Sequence, residues 1–468
     1  MIHERLRPVL EATRPLAERF AAADKQLYLV GGIVRDLLAG REIERPDIDL
    51  TTDARPEDTK RILEGWADAV WTQGERFGTI GAKRDGRTFE ITTHRAEAYD
   101  PGSRKPDVAF GDEIEADLSR RDFTVNAMAL ALPEPRLIDP FDGRNDLLVD
   151  KCLRTPLAPE VSFSDDPLRM LRAARFIAGY GLVPEPALVR AVEAHRERLE
   201  IVSAERIRDE LDKLLVVEDP APGLWFLHET GLFDEFLPEI AAMRLEQDPI
   251  HQHKDVLAHT IAVVGNVRAR KDDGSPNLIT RLAALLHDVG KPKTRSIGAH
   301  GVSFHHHEVV GARMARERLQ ALRYPDDVVR AVTRLVELHL RFHGYEEGDG
   351  GWTDSAVRRY VRDAGDLLDE LNELTRCDCT TRNERKATML ARRMDALEAR
   401  IARLNEQEEL RAIRPDLDGD EVMAILGLEP GREVGKAMRF LLDLRLDDGP
   451  LGKDEAERRL REWWANQT

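Results

Sequence analysis

Long apolar runs are missing from this chain. No stretch reaches the ~18 residues a membrane-spanning helix needs, and the first residues lack a signal-peptide pattern, so the sequence predicts a cytoplasmic protein with no membrane partner. Cysteine is scarce. Cys152, Cys377 and Cys379 are too few for a disulfide framework or a Cys-rich zinc site, and the last two are too close together to form an independent zinc pair. Positive charge is also short: 70 Lys and Arg against 87 Asp and Glu leave a net −17. That balance disfavours non-specific binding to long nucleic acid, and no DNA partner is expected; any RNA contact must use local basic patches. Aromatics make up only 6% and no 20–50-residue repeat is evident, whereas 34% of residues are charged, as in a helix-rich soluble chain.

At 468 residues the chain has room for two to four domains. β-type segments cluster early, at 26–30, 47–51, 69–72, 78–83 and 87–93, and the Pro/Gly/charge-rich stretch 99–112 reads as a mobile loop. From 165 onward helical periodicity dominates, punctuated by prolines. The expected fold class is α+β. A small mixed sheet with helices over 1–150 is followed by an elongated all-α arrangement: a neck over 151–245, a body over 246–385 and a tail over 386–468.

The chemistry begins at LVGGIVRDLL, residues 29–38. A short apolar strand enters the side-chain-free turn Gly31-Gly32, and a helix opens behind it with its first N–H groups aimed at the turn, an arrangement that can hold phosphate. Asp47 and Asp49 follow at i and i+2, so on a strand their carboxylates share a face, where a divalent cation relieves their repulsion. Glu90, in another β-type segment, is available as a third acid, although an ordinary exposed strand acid reads the same way. Three carboxylates can hold two Mg²⁺ ions for phosphoryl or nucleotidyl transfer.

In SRRDFTVNAMAL, 119–130, Asp122, Thr124 and Asn126 can brace the loop carrying Arg120 and Arg121, whose forked donors suit phosphate oxygens. Phe123, Val125, Ala127 and Met128 suit the start of a buried helix. In SFSDDPLRMLRAARF, 162–176, Asp166, Arg169 and Arg172 recur every three residues, and Arg175 continues the row opposite a core face of Leu168, Leu171, Ala174 and Ile177. An Asp accepts from an exocyclic amine and an Arg donates to a ring nitrogen, the edge that cytosine and adenine share. Such a pair would admit CTP and ATP and refuse UTP and GTP without a template; on a single helix taken alone, such a row is more often a solvated ladder of ion pairs.

The ordered set GGIVRD, DID, RRDFTVNA, DPFDGR, DDPLRMLRAARF and SAERIRDEL, spanning 29–211, resembles the bacterial-type (class II) CCA-adding tRNA nucleotidyltransferases and their poly(A) polymerase relatives. The resemblance implies a polymerase-β-like nucleotidyltransferase head, tRNA as partner, CTP and ATP as substrates and Mg²⁺ as cofactor. It implies that Asp47 and Asp49 hold the catalytic metals, and that Gly32, Arg35 and Arg121 contact the incoming nucleotide. Asp166, Arg169, Arg172 and Arg175 fall on the base-reading helix, and Asp165 stands where the family usually has Glu.

Ten of the 14 histidines lie between 251 and 343. His259, His287-Asp288, His307, His339 and Asp378 come from separate helical segments, and imidazoles and carboxylates converging in a bundle core suit Mn, Fe, Ni, Co or Mg. The order His…His-Asp…Asp over roughly 250–385 resembles the HD-domain metal phosphohydrolases. That resemblance implies His259, His287, Asp288 and Asp378 as ligands, with His307 and His339 added if two metals bind. Residues 382–412 read as a long basic helix, and 416–438, with turns at Gly427 and Gly431, looks like the family's C-terminal helical motif; this tail is expected to contact tRNA. The reading is CCA addition to tRNA with a possible second phosphohydrolase activity. Its rivals are a poly(A) polymerase, a phosphohydrolase whose head only binds nucleotide, and an inactive RNA-binding scaffold.

Overall fold

A computed structural model describes residues 2–41, 48–94, 111–244, 255–298, 301–344, 352–380, 384–408 and 413–467. Asp47 and most of the 99–112 stretch lie outside the described residues. The chain forms two compact units, residues 1–236 and 237–468. Among the described residues, no helix is long and apolar enough to cross a membrane.

The first unit opens with α1 (Ile2–Ala22), β1 (Leu27–Val30) and α2 (Gly32–Leu38), followed by β2 (Ile48–Thr52), α3 (Pro56–Leu63), β3 (Ala69–Trp71), β4 (Thr79–Arg84) and β5 (Arg87–Thr93). Next come α4 (Ile114–Ser119), β6 (Ala129–Leu132), β7 (Arg136–Ile138) and the short α5 (Gly143–Asn145). These strands build one seven-stranded sheet in the order β3-β4-β5-β2-β1-β6-β7. Only β2 and β5 run parallel; the other neighbours are antiparallel. β1 is apolar along its whole length because it is central: all four residues are buried, with Tyr28 and Val30 packed against Leu118 of α4. Burying a side chain such as Phe89, which meets Trp66 edge-on, is worth about 2–3 kcal/mol.

The expected helix start at 123–128 is corrected by the structure. Thr124–Asn126 make a single 3₁₀ turn, and Ala129–Leu132 is a strand paired with β1 from Leu27↔Leu132 to Val30↔Ala129. Ala and Leu are good helix formers, but the open edge of β1 decides.

The unit continues with the short parallel pair β8 (Cys152–Leu153) and β9 (Val183–Pro184), and with helices α6 (Pro159–Asp165), α7 (Leu168–Tyr180), α8 (Pro186–His195), α9 (Ala204–Leu215), α10 (Ala221–Glu229) and α11 (Leu232–Phe236). The expected core face of α7, Leu168, Leu171, Ala174 and Ile177, is buried. Ser203 caps α9 by accepting from the Arg206 N–H, which gives the SAER sequence its local role.

The second unit holds α12 (Pro238–Ala241), α13 (Val256–Asn266), α14 (Leu278–Leu286), α15 (Lys291–Thr294), α16 (His307–Ala321), α17 (Asp326–Leu338), α18 (Asp354–Ala364), α19 (Leu368–Asp378) and α20 (Glu384–Glu408). A hairpin of β10 (Arg295–Gly298) and β11 (Gly301–Phe304), absent from the periodicity reading, leads into α16. The last helices, α21 (Gly419–Leu426), α22 (Arg432–Asp448) and α23 (Lys453–Ala465), close over their own core of Leu417, Val422, Ala437, Leu441, Ala456 and Leu460.

Candidate active site and candidate metal centre

In the first unit the site starts at Gly31, whose φ of +73° with ψ of −138° suits glycine alone. A Cβ there would lie 3.4 Å from Arg121 Nη1 and 3.6 Å from Asp49 Oδ2, so a cation and a carboxylate converge over the turn that opens α2. Asp49 lies in register with Glu90 across the parallel β2–β5 pair, and register neighbours on parallel strands face the same way. Two acids are therefore adjacent beside the glycine turn, a donor set of the hard-oxygen type that suits Mg²⁺.

Arg35, on α2, is buried. It gives Nη1 to Asn126 Oδ1 at 2.6 Å, and Nε and Nη2 to the two carboxylate oxygens of Asp36 at 3.0 and 2.9 Å. Arg121 Nη2 reaches Asp117 at 3.3 Å.

α7 is tied to the same loop. Asp122 Oδ2 accepts from Arg172 Nε at 2.8 Å and Nη2 at 2.5 Å, while Oδ1 accepts from Asn126 Nδ2 and the Phe123 N–H. Burial pushes the Asp122 carboxyl up, but Arg172 and the hydrogen bonds outweigh it and hold the group at about 2. Arg169 donates to the Arg120 carbonyl at 2.6 Å and to Ser162 Oγ at 2.8 Å. Asp166 stands just before the helix in extended backbone, where Oδ1 accepts from the Leu168 N–H and Oδ2 from Arg206 at 2.8 Å. Arg172 Nη1 and Arg175 Nε sit 3.5 and 2.8 Å from the buried Glu210. The row is thus an anchored network. Its anchors, Asp122, Arg206 and Glu210, were not singled out from sequence as partners, although Arg206 and Glu210 both lie in SAERIRDEL.

In the second unit the expected ligands come together at helix ends. His259 is on α13, His287 and Asp288 follow α14, His307 begins α16, His339 follows α17 and Asp378 ends α19. Each imidazole is held at Nδ1: by Thr380 Oγ1 at 2.6 Å for His259, and by the carbonyls of Ala284, Phe304 and Val336 at 2.8, 2.8 and 2.7 Å for the other three. All four Nε2 atoms consequently face the carboxylates, the outer-shell arrangement metal-binding histidines use. Asp288 Oδ2 is 3.2 Å from His287 and 3.7 Å from His259; Oδ1 is 3.3 Å from His307 and 3.9 Å from His339. Asp378 Oδ1 is 2.8 Å from His259 and 3.6 Å from His287.

Two overlapping triads share Asp288: His259, His287 and Asp288, then Asp288, His307 and His339. The Nε2 atoms of His287 and His307 and Oδ1 of Asp288 are buried without hydrogen-bonding geometry to any partner, an arrangement costly unless a cation sits among them. Burial opposes ionisation of Asp288, yet His287, His307 and Lys291 beside it hold the carboxylate well below the usual range; burial pushes His339 down to about 3, keeping it neutral. Gly290 is required by close approach, since a Cβ would lie 2.1 Å from the His307 carbonyl. A cavity of about 280 Å³ opens against Asp288, His339 and Asp378, with Lys291, His343 and Lys386 in its wall.

A mixed sheet with acids beside a glycine turn, followed in sequence by a helical unit with a shared-carboxylate His/Asp cluster, defines a polymerase-type nucleotidyltransferase head fused to an HD domain. Residues 27–154 match the Poly A polymerase head domain, 181–244 the probable RNA and SrmB-binding site of polymerase A, and 256–404 the HD domain. The chain is 34% identical over 452 residues to the A-adding tRNA nucleotidyltransferase of Deinococcus radiodurans, covering 94% of this chain and 96% of that one. It is 33% identical over 457 residues to the CC-adding tRNA nucleotidyltransferase of Thermus thermophilus, covering 94% of each. The Bacillus stearothermophilus CCA-adding enzyme in complex with CTP has the same fold, with a TM-score of 0.66 at 22% identity over 99% of this chain and 98% of that one. The chain belongs to the bacterial-type (class II) tRNA nucleotidyltransferase and poly(A) polymerase family and carries a fused HD domain.

Proposed function

We propose that this protein adds C, C and A to the 3′ end of tRNA from CTP and ATP, releasing pyrophosphate without a template, in the cytoplasm. The observation that carries the reading is that one loop, Arg120–Asn126, joins both halves of the site: Arg121 converges with Asp49 over Gly31, while Asp122 and the Arg120 carbonyl anchor Arg172 and Arg169. Relatives similar to this chain over nearly their whole length carry A-adding and CC-adding tRNA nucleotidyltransferase names, which supports addition to the tRNA 3′ end; CCA-adding relatives match about half of the chain.

In this reading Asp47 and Asp49, with Glu90 beside Asp49, hold Mg²⁺, which supplies charge stabilisation at the transferring phosphoryl group when bound. Gly32 and Arg121 orient the triphosphate, with Arg35 braced behind the turn. Asp166 and Arg169 read the amine-plus-nitrogen edge of cytosine or adenine, and Arg172 and Arg175 keep that pair in place through Asp122 and Glu210. The functional division is a head over 1–150, a neck over 151–245, an HD domain over 246–385 and a tRNA-contacting tail over 386–468. Pyrophosphate release tests this directly. It is expected with CTP and a tRNA trimmed of its last three nucleotides, and not with mature tRNA; release with ATP alone on any RNA end would favour poly(A) synthesis.

A second activity is favoured by the orphaned Nε2 and Oδ1 atoms of the HD cluster. His259, His287, Asp288 and Asp378, with His307 and His339, bind a divalent transition metal or Mg²⁺, and Lys291 and Lys386 in the adjoining cavity suit a phosphoester. Hydrolysis of a generic phosphodiester or monoester by the metal-loaded protein tests it.

A further inference from the structure

Between α2 and α7 the polar contacts close on themselves. Tyr180 OH donates to Asp36 Oδ1 at 2.7 Å; Asp36 accepts both Nε and Nη2 of Arg35; Arg35 Nη1 donates to Asn126; Asn126 Nδ2 donates to Asp122; and Asp122 accepts from Arg172, back on α7. Tyr180 also lies against two guanidinium groups, with Arg35 Cζ 4.4 Å and Arg41 Cζ 3.9 Å from its ring centroid, and stacks on Phe176.

We infer that Tyr180, Asp36 and Asn126 are positioning residues for nucleotide addition, closing a hydrogen-bonded ring that fixes the glycine turn of α2 against the base-reading side of α7. The inference rests on the function proposed above and concerns residues that reach the nucleotide only through Arg35, Asp122 and Arg172. Residues 172 and 180 are eight apart, so α2 and its loop are held at two points roughly 12 Å apart along α7. α2 also packs its apolar face on α1, β1 and β2, and the two polar points set its angle to α7. Arg35, Asp122 and Asn126 are all buried, so opening a link among these three leaves a desolvated polar group unpaired, whereas Tyr180 and Asp36 are partly exposed. Because Gly31 directly precedes α2, a pivot of α2 moves the triphosphate side of the site relative to the base side. That should slow the chemical step more than it weakens binding of either end.

The test uses the full chain with Tyr180→Phe, which keeps both rings and removes only the hydroxyl. Incorporation of CTP and ATP into trimmed tRNA should fall about tenfold in kcat with nucleotide KM within about twofold, and discrimination against UTP and GTP should fall with it. Combined with Asn126→Ala, the loss should be smaller than the product of the two single losses, because either change opens the same ring. If Asn126→Ala does not fold, Asp36→Asn takes its place in the cycle. A Tyr180→Phe protein with the kcat and selectivity of the parent, or one that only melts earlier, overturns the inference, as does strict multiplicativity. A parent protein that incorporates nothing overturns the proposed function instead.

Discussion

Arg172 donates two hydrogen bonds to the single Oδ2 atom of Asp122, fifty residues earlier in the chain, and so bolts α7 to the loop that carries Arg121. The pair is buried on the Asp side and its other lone pairs are met by Asn126 and the Phe123 N–H. Breaking such a pair from one side leaves an uncompensated charge.

Asp122→Asn should therefore destabilise the first unit by about 2–4 kcal/mol at neutral pH. The difference from the parent should depend on pH. The folded-state pKa of Asp122 is depressed to about 2 from an ordinary 3.8, so its ionisation contributes stability above the unfolded value and loses it as pH falls through the folded one. That part is about 2 kcal/mol and should vanish between roughly pH 4 and pH 2. Urea unfolding of both proteins across that range checks it; a pH-independent gap would contradict the assignment.

Asp47→Ala or Asp49→Ala should lower nucleotide addition by about a thousandfold or more, while tRNA still binds, because a carboxylate that holds catalytic charge is lost without removing RNA contacts. Single-turnover incorporation and a filter-binding assay separate the two effects. Near-parental rates in both variants would remove Asp47 and Asp49 from the site.

Much of this was legible in sequence, for identifiable reasons. The strands 26–30, 47–51, 69–72, 78–83 and 87–93 fall within a residue or two of their observed limits because each is a short apolar or alternating β-type run bounded by turns. The apolar face of α7 and the six expected HD residues also follow local patterns, and the structure gathers His259, His287, His307 and His339 around Asp288, with Asp378 beside His259 and His287. What sequence did not show is partner choice. Nothing local tells Arg172 to pair with Asp122, Arg175 with Glu210, or Tyr180 with Asp36, since those pairs are 50, 35 and 144 residues apart. β6 was missed for the same reason: its strand character comes from β1, a hundred residues away in sequence.

The HD cluster should retain metal and be stabilised by it. At a free metal concentration a hundred times its dissociation constant the second unit gains about 3 kcal/mol, so chelation should lower its melting temperature and readdition restore it. His287→Ala or Asp288→Ala should abolish that shift together with any phosphoesterase activity, and leave nucleotide addition largely intact. Loss of addition in a folded His287→Ala protein would show that the two sites are coupled.

Asp166→Ala and Arg169→Ala should blur nucleotide choice, by about tenfold or more in the ratio of CTP to UTP incorporation, since mispaired buried polar groups are what reject the wrong base. An equal loss for all four nucleotides would mean that these residues bind without reading.

Sequencing the 3′ ends made from a trimmed tRNA, nucleotide by nucleotide, tests the central claim most directly. With CTP alone the product should end after two added C residues. With CTP and ATP together it should end in CCA and stop, and UTP or GTP should add nothing. A product that gains only A, stops permanently at CC with ATP present, or grows a continuous A tail would contradict the account.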